Sequence, residues 1–183
     1  TMKRLNLGSG SVQPEGWVNA DLRGASFECR TIDLTNRVSV DFFLADCGEF
    51  DEIVANHLLS CFSHHELIYP VLPNILRPLK PGGVFRALVP DVWEAVHAYL
   101  RRKPGHFPLG DDLPGVSERF CTFLPWFGES KSIFDEEYLH GLLMKVGFSD
   151  IARSPHHATV LGTKGIYDLD DREGHSLVME ARR

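Results

Sequence analysis

From Lys3 to Gly147, apolar runs of strand length alternate with apolar runs at helical spacing, and the strand-like runs tend to close on glycine, asparagine or aspartate. That alternation predicts an α/β sheet, mostly parallel, with an irregular C-terminal end. The first run, Lys3-Arg4-Leu5-Asn6-Leu7, stops at Gly8-Ser9-Gly10. The second, Trp17-Val18-Asn19-Ala20, stops at Asp21. Only about ten residues separate the two, whereas a parallel crossover normally takes a dozen or more. The first crossover helix is therefore expected to shrink to a turn or so, or the two strands to be joined in a non-standard way.

Two runs compete for the third strand. Cys29-Arg30-Thr31-Ile32 closes on Asp33 and Phe42-Phe43-Leu44-Ala45 closes on Asp46, and the sequence leaves both open. Glu52-Ile53-Val54-Ala55 reads as a buried strand ending at Asn56-His57. His64 to Leu79 has helical apolar spacing broken by Pro70 and Pro73, so a kinked or two-piece helix is expected. Lys80-Pro81-Gly82-Gly83 reads as a stop and turn. A strand over 84–89 and a helix over 92–102 follow, the helix capped by Asp91. A further helix spans 135–146, between Asp135 and Gly147. The last strands fall near 151–153 and 176–180, separated by a polar, hairpin-like stretch over 167–174.

Residues 104–130 break the alternation with four prolines, four glycines and a row of aromatic side chains. Long irregular segments in a compact domain are usually functional. The chain is therefore expected to be one domain over 1–183, with 103–132 an aromatic-rich lid or substrate wall and Arg119 available there for an acidic group.

The 183 residues carry 19 Lys plus Arg against 25 Asp plus Glu, a net charge of −6. No basic excess exists to neutralise phosphates, so nucleic acid is not the expected partner. No stretch approaches the roughly 20 apolar residues of a membrane span, and no signal-peptide pattern appears near Thr1. A cytoplasmic protein without membrane contact is expected, and an oligomer remains possible. Cys29, Cys47, Cys61 and Cys121 lack Cys-x-x-Cys spacing and read as reduced, mostly buried thiols. The adjacent pairs His64-His65 and His156-His157 do not share a helix face, so no metal site is expected.

Ligands of open α/β sheets bind beyond the carboxyl ends of the strands. A Gly-x-Gly turn there lets a ligand approach the backbone closely, and an acid ending the second strand can accept hydrogen bonds from ribose hydroxyls. Gly8-Ser9-Gly10 followed by Asp21 fits a nucleoside-containing ligand. A dinucleotide site would want a third glycine, a helix start for the pyrophosphate and an acid about 20 residues on. Here the third glycine is missing, the helix looks truncated and Asp21 comes too early. These points favour a ligand without phosphates, such as S-adenosylmethionine, over a nicotinamide cofactor.

Leu5-Asn6-Leu7-Gly8-Ser9-Gly10, then Pro14-Glu15-Gly16-Trp17-Val18-Asn19-Ala20-Asp21, resemble the opening of class I S-adenosylmethionine-dependent methyltransferases, in particular a small bacterial subgroup. Phe50-Asp51-Glu52-Ile53, Leu79-Lys80-Pro81-Gly82-Gly83, Val89-Pro90-Asp91, Gly147-Phe148 and Ser176-Leu177-Val178 match in family order over nearly the whole chain. The resemblance implies a Rossmann-like, seven-stranded, mostly parallel sheet with an antiparallel last strand. It also implies S-adenosyl-L-methionine as cofactor. The methionine moiety would lie against Asn6, Leu7, Gly8, Ser9 and Gly10, the ribose on Asp21, and the adenine near Asp33 or Asp46. Asn56 and His57 would line the cleft between cofactor and acceptor.

The sequence departs from the family at Asn6, where an acid is common, at Ser9, where cysteine is frequent, and at Ser60-Cys61, where the subgroup has Glu-His. A hydroxyl acceptor needs a base, and His57 is the first candidate, followed by His64 or His65. The expected activity is methyl transfer to a small-molecule or saccharide acceptor. An inactive cofactor-binding module and a nicotinamide-dependent oxidoreductase are the alternatives.

Overall fold

The computed structural model describes residues 2–24 and 28–183. Seven strands form one sheet: β1 (Arg4–Leu7), β2 (Val18–Asp21), β3 (Cys29–Thr31), β4 (Phe50–Asn56), β5 (Leu79–Pro90), β6 (Ser149–Arg153) and β7 (Ser176–Arg182). Their order is β3-β2-β1-β4-β5-β7-β6. β1 to β5 pair in parallel, and β7 runs antiparallel between β5 and β6.

Alternation along the central strands divides the core. Ile53, Ala55, Phe85, Ala87, Leu177 and Met179 face one way, into a core shared with helices. Those helices are α1 (Arg37–Cys47), α3 (Leu72–Leu76) and α6 (Glu136–Val146); α2 (His64–Glu66) buries no side chain, and α4 (Val92–Leu100) and α5 (Val116–Phe123) lie elsewhere. Val54, Val84, Leu88 and Val178 face the other way. That second face is covered by the excursion between β6 and β7, through Ile166 and Leu169, with Trp17 beside them.

The helix-poor face follows from the short first connection. Residues 8–17 join β1 to β2 without a helix. Two asparagines paired in register across β1 and β2 hold that connection instead. The Asn6 amide donates to Val12 O (2.7 Å) and Asn19 Oδ1 (3.0 Å), and the Asn19 amide donates to Pro14 O (3.3 Å). Buried amides thus satisfy backbone carbonyls that a helix would have satisfied internally.

The competition for the third strand resolves to Cys29–Thr31. The rival run 42–45 lies inside α1, where Val40 and Phe43 are buried and Phe42 is 73% exposed, a helical spacing. Asn36 caps that helix by accepting from Val38 N and Ser39 N. Lys80-Pro81-Gly82-Gly83 is not a stop. It is a bulge inside the twelve-residue β5, with a register shift between Phe50 and Glu52. Gly83 is required there, because a Cβ would fall 2.9 Å from Asp51 O and from Lys80 O. The proline-broken helix is found as expected in pieces, with a π-helical turn over Leu67–Val71 around Pro70 joining α2 to α3. Proline lacks the N–H for that ladder and crowds the preceding turn, which the wider π turn relieves.

The 104–130 segment holds two short 3₁₀ turns and α5, and packs Phe107, Val116 and Phe123 on Ala95 and Ala98 of α4 as a separate small core. Arg119 is not free for a ligand. Its guanidinium donates to the carbonyls of Leu109, Gly110 and Leu113 and fastens the segment to itself. Burial of the thiols is also only partial: Cys29 is buried, whereas Cys61 and Cys121 are exposed. No helix among the described residues is long and apolar enough to cross a membrane.

A buried ionic cluster ties the excursion to the helix-poor face. Arg86 reaches Asp170 and Glu180, all three side chains fully buried, and its Nη1 also donates to Ser154 Oγ (3.2 Å). Glu180 accepts from Thr159 Oγ1 (2.7 Å), Val160 N and Leu161 N (both 2.8 Å). Burial pushes the Glu180 carboxyl up, but these hydrogen bonds and Arg86 outweigh it and hold the group below its ordinary value.

Candidate functional site

The carboxyl ends of β1 to β4 open on one cavity of about 360 Å³, within the range of roughly 300–1,000 Å³ typical of ligand pockets. Leu7 and Gly8 form its floor at the end of β1, Asp21 stands at the end of β2, and Asp33 follows β3. Leu58, Cys61 and Phe62 enter from the turn after β4, and Glu66 and Lys131 complete the rim. Gly8 has φ +72°, and a Cβ there would meet Leu58 Cδ1 at 2.9 Å, so glycine keeps this wall open.

Two backbone donors fix the Asp21 carboxylate: Gly10 N to Oδ2 at 2.9 Å and Arg23 N to Oδ1 at 3.2 Å. The Gly8-Ser9-Gly10 turn is thereby clamped to the end of β2, where Gly8 N and Ser9 N also donate to Ala20 O. Asp33 forms an Asx turn, accepting from Thr35 N (2.9 Å) and Thr35 Oγ1 (2.7 Å). Glu66 accepts from Ser63 N and Ser63 Oγ in a capping box, and these bonds hold its carboxyl below the ordinary range. Lys131 Nζ lies 3.5 Å from Glu66. Burial, reinforced by Glu129, pushes the Cys61 thiol up, which disfavours the nucleophilic thiolate. Three carboxylates against one ammonium give the rim a negative balance.

Of the residues expected at a cofactor, Leu7, Gly8, Asp21 and Asp33 meet in this cavity. Ser9 and Gly10 form the adjoining turn, with Ser9 Oγ 3.4 Å from Cys29 Sγ. Asn6 is spent beneath it on Val12 and Asn19. Asp46 sits on α1, facing Arg30 at 3.3 Å, so Asp33 is the acid that geometry brings to the cavity. Asn56 turns the other way and donates to Leu169 O (2.8 Å). His57 does the same: its Nε2 lies 3.0 Å from Asp171 Oδ1 and 3.2 Å from Ser176 Oγ. His64 lines a separate surface cleft and stacks on Tyr138, with Nδ1 2.7 Å from the hydroxyl. Neither histidine lines the cavity.

Thr35, Leu58, Phe62, Glu66 and Lys131 were not expected there. The turn after β4 was open to inference from the strand-end rule alone. Lys131 was not, because only the folded 104–130 segment carries it back to Ser60, whose carbonyl accepts from Lys131 N (2.8 Å). Among the described residues, no group of three or more His, Cys, Asp or Glu side chains is arranged to hold a metal ion.

Burial holds His106, His156 and His175 below the ordinary imidazole range; at His175 the neighbouring His106 and Arg172 add to it. Unfolding returns these rings to an ordinary value of about 6.5, so below that pH the unfolded chain binds more protons. Their contribution to stability is complete above about pH 6.5 and is lost as pH falls toward their depressed folded values. Urea midpoints measured from pH 8 to 5 are expected to decline below about pH 6.5. The decline should be smaller in His175→Asn.

No protein-family model matches the sequence, and no curated protein matches it. Solved structures do match the fold. A SAM-dependent methyltransferase from Archaeoglobus fulgidus aligns over 100% of this chain and 86% of its own, at 11% identity and TM-score 0.57. The CurJ carbon methyltransferase aligns over 99% of this chain and 48% of its own, at 13% identity and TM-score 0.55. An O-methyltransferase family protein from Burkholderia thailandensis aligns over 100% of this chain and 51% of its own, at 13% identity and TM-score 0.55. The chain thus spans about half the length of the last two. It has the Rossmann-like fold of class I S-adenosylmethionine-dependent methyltransferases, with its cavity at the carboxyl edge of the sheet.

Proposed function

We propose that the chain binds S-adenosylmethionine in the cavity beyond β1 to β4 and transfers its methyl group to a small-molecule or saccharide acceptor. The observation that carries this reading is the joining of Gly8, Asp21 and Asp33 on one cavity with no helix start at the β1 turn. A pyrophosphate would find no helix N-terminus there and would face a carboxylate rim, which weighs against a nicotinamide dinucleotide. A cofactor with a cationic sulfonium and a ribose, and no phosphate, suits that lining.

The bound cofactor would supply an electrophilic methyl group for in-line displacement. The chain supplies position, which accounts for much of the rate in such a reaction. Asp21, fixed by Gly10 N and Arg23 N, offers its remaining lone pairs to the ribose hydroxyls. Asp33 stands on the adenine side. Gly8 lets the ligand lie against the backbone, and Leu58 and Phe62 exclude water.

A second reading is a cofactor-binding module without turnover. It is favoured by the Cys61 thiol, held protonated on the cavity wall, and by the absence of histidine from that lining. Calorimetric titration with S-adenosylhomocysteine is expected to give a micromolar Kd, about −8 kcal/mol, with no binding of NADH. The reverse preference would reject the proposal. Binding without turnover across varied acceptors would select the second reading.

A further inference from the structure

The inner face of α4 is spent on its own domain: Ala95 and Ala98 pack on Phe107, Val116 and Phe123 of the aromatic segment. The outer face is also apolar. Trp93 is 61% exposed, Val96 37% and Leu100 69%. Their spacing of i, i+3 and i+7 sets them on one stripe, about 10 Å long. Single exposed apolar residues are ordinary, but a continuous stripe of them marks a contact surface. Tryptophan, here tilted against the His97 ring at 4.6 Å, is among the residues that most often anchor such contacts.

Charge is divided along the same helix. Its C-terminal end runs into Arg101, Arg102 and Lys103, all exposed. Its N-terminal end borders a cleft of about 270 Å³ lined by Asp91, Trp93, Asp135, Glu136, Glu137 and Arg153. Four carboxylates against one guanidinium leave that cleft negative, and Arg153 is already drawn to Asp91 (3.6 Å) and Glu136 (3.2 Å). Glu94, in the first turn of α4, adds to the acidic end.

We propose that a second copy of this chain covers the stripe, the two α4 helices packing antiparallel across a two-fold axis between Val96 and His97. Trp93 of each copy then stands level with Leu100 of the other. The same axis brings the 101–103 end of each copy to the acidic cleft of the other. A two-fold axis running across both helices keeps each flank on its own side of the contact. Glu94 and Arg101 are seven residues apart and share a flank, so each Glu94 meets the other copy's Arg101, offset by only about 3 Å along the helix.

The order of charges selects this occupant. An anionic lipid surface or a nucleic acid would suit Arg101 to Lys103 but would meet Glu94, Glu136 and Glu137 beside the same stripe. A wholly basic partner would suit the cleft and be repelled by residues 101–103. The surface that fits is apolar at its centre with the two charges in reverse order, which an antiparallel copy of this chain presents. One helix face with a charged rim is at the small end of interfaces, so the dimer is expected to be weak. None of these residues lines the cofactor cavity, so dimer formation and cofactor binding stand or fall separately.

The test is sedimentation equilibrium of the full chain over about 1 μM to 1 mM, which brackets a transient interface. The mass is expected to rise toward twice 20.6 kDa, with a Kd of about 1–100 μM that weakens with added salt. Trp93→Ser should weaken the dimer at least about tenfold. Two triple variants test the rim. Arg101→Glu with Arg102→Glu and Lys103→Glu makes both ends acidic. Glu94→Lys with Glu136→Lys and Glu137→Lys makes both ends basic. Each alone is expected to be monomeric, and circular dichroism checks that it is folded. Mixed in equal amounts they should form a heterodimer, because every rim contact is attractive again. Adding Trp93→Ser to either should abolish that heterodimer, which attraction between oppositely charged chains alone would not do.

A monomer throughout that concentration range overturns the proposal. So does a dimer whose Kd is unmoved by Trp93→Ser. Folded triple variants that dimerise alone, or that fail to pair when mixed, overturn it as well. A monomer whose Trp93 fluorescence shifts on phosphatidylserine vesicles would assign the stripe to a lipid surface and likewise overturn it.

Discussion

Arg86→Ala is expected to lower the unfolding free energy by about 3–5 kcal/mol, the cost of removing one partner from a buried ion cluster. The guanidinium faces Asp170 and Glu180, and neither carboxylate has solvent to turn to. Without Arg86, two buried negative charges would stand in one pocket, and Ser154 Oγ and Pro155 O would lose a donor. The excursion over 154–175 would then keep Ile166 and Leu169 against the sheet, the bonds of Thr159, Val160 and Leu161 to Glu180, and that of Asn56 to Leu169 O. Urea unfolding should show a lower midpoint at nearly unchanged slope if the native state stays compact. Arg86→Met combined with Asp170→Asn and Glu180→Gln is expected to recover part of the loss, because it removes the charges together. A loss below about 1 kcal/mol for Arg86→Ala would mean that the cluster does not hold this face.

Asp21→Ala is expected to weaken S-adenosylhomocysteine binding by about 10–100-fold, from the roughly 1.5–3 kcal/mol carried by hydrogen bonds to a charged group. Two effects act together. The ribose loses its acceptor, and Gly10 N and Arg23 N lose theirs, so the glycine turn is no longer clamped to β2. Asp21→Asn separates them, since its single carbonyl oxygen keeps one acceptor but no charge; an intermediate loss is expected. Calorimetry on variants with unchanged melting temperature checks this. A change below about threefold in Asp21→Ala would remove Asp21 from the site.

Much of this arrangement is legible in the residues because it is local. Gly8-Ser9-Gly10 and Asp21 fall at strand ends that the apolar runs mark, and the short link between β1 and β2 forbids a full helix. Asp91 and Gly147 act as the caps their types suggest, Asp91 accepting from Trp93 N and Gly147 taking φ +110°.

What the sequence hides depends on pairing at a distance. The run 42–45 looks like a strand until α1 shows Phe42 outward and Phe43 inward. Lys80-Pro81-Gly82-Gly83 looks like a turn because the partner that absorbs it, Arg183, is a hundred residues away along the chain, where Gly82 N donates to Arg183 O (3.0 Å). Arg119 looks available until its own segment folds round it. His57 looks like a cavity residue because it follows β4, yet its φ of +52° and the distant Asp171 and Ser176 draw it to the opposite side.

The central claim is that the cavity beyond β1 to β4 is the cofactor site. A crystal structure of the protein grown with S-adenosylhomocysteine tests it most directly. The account predicts ligand density between Gly8 and Phe62, with the ribose hydroxyls on the Asp21 carboxylate and the adenine beside Asp33. Density at another place in the fold, or a ligand here that leaves Asp21 without contact, would contradict it.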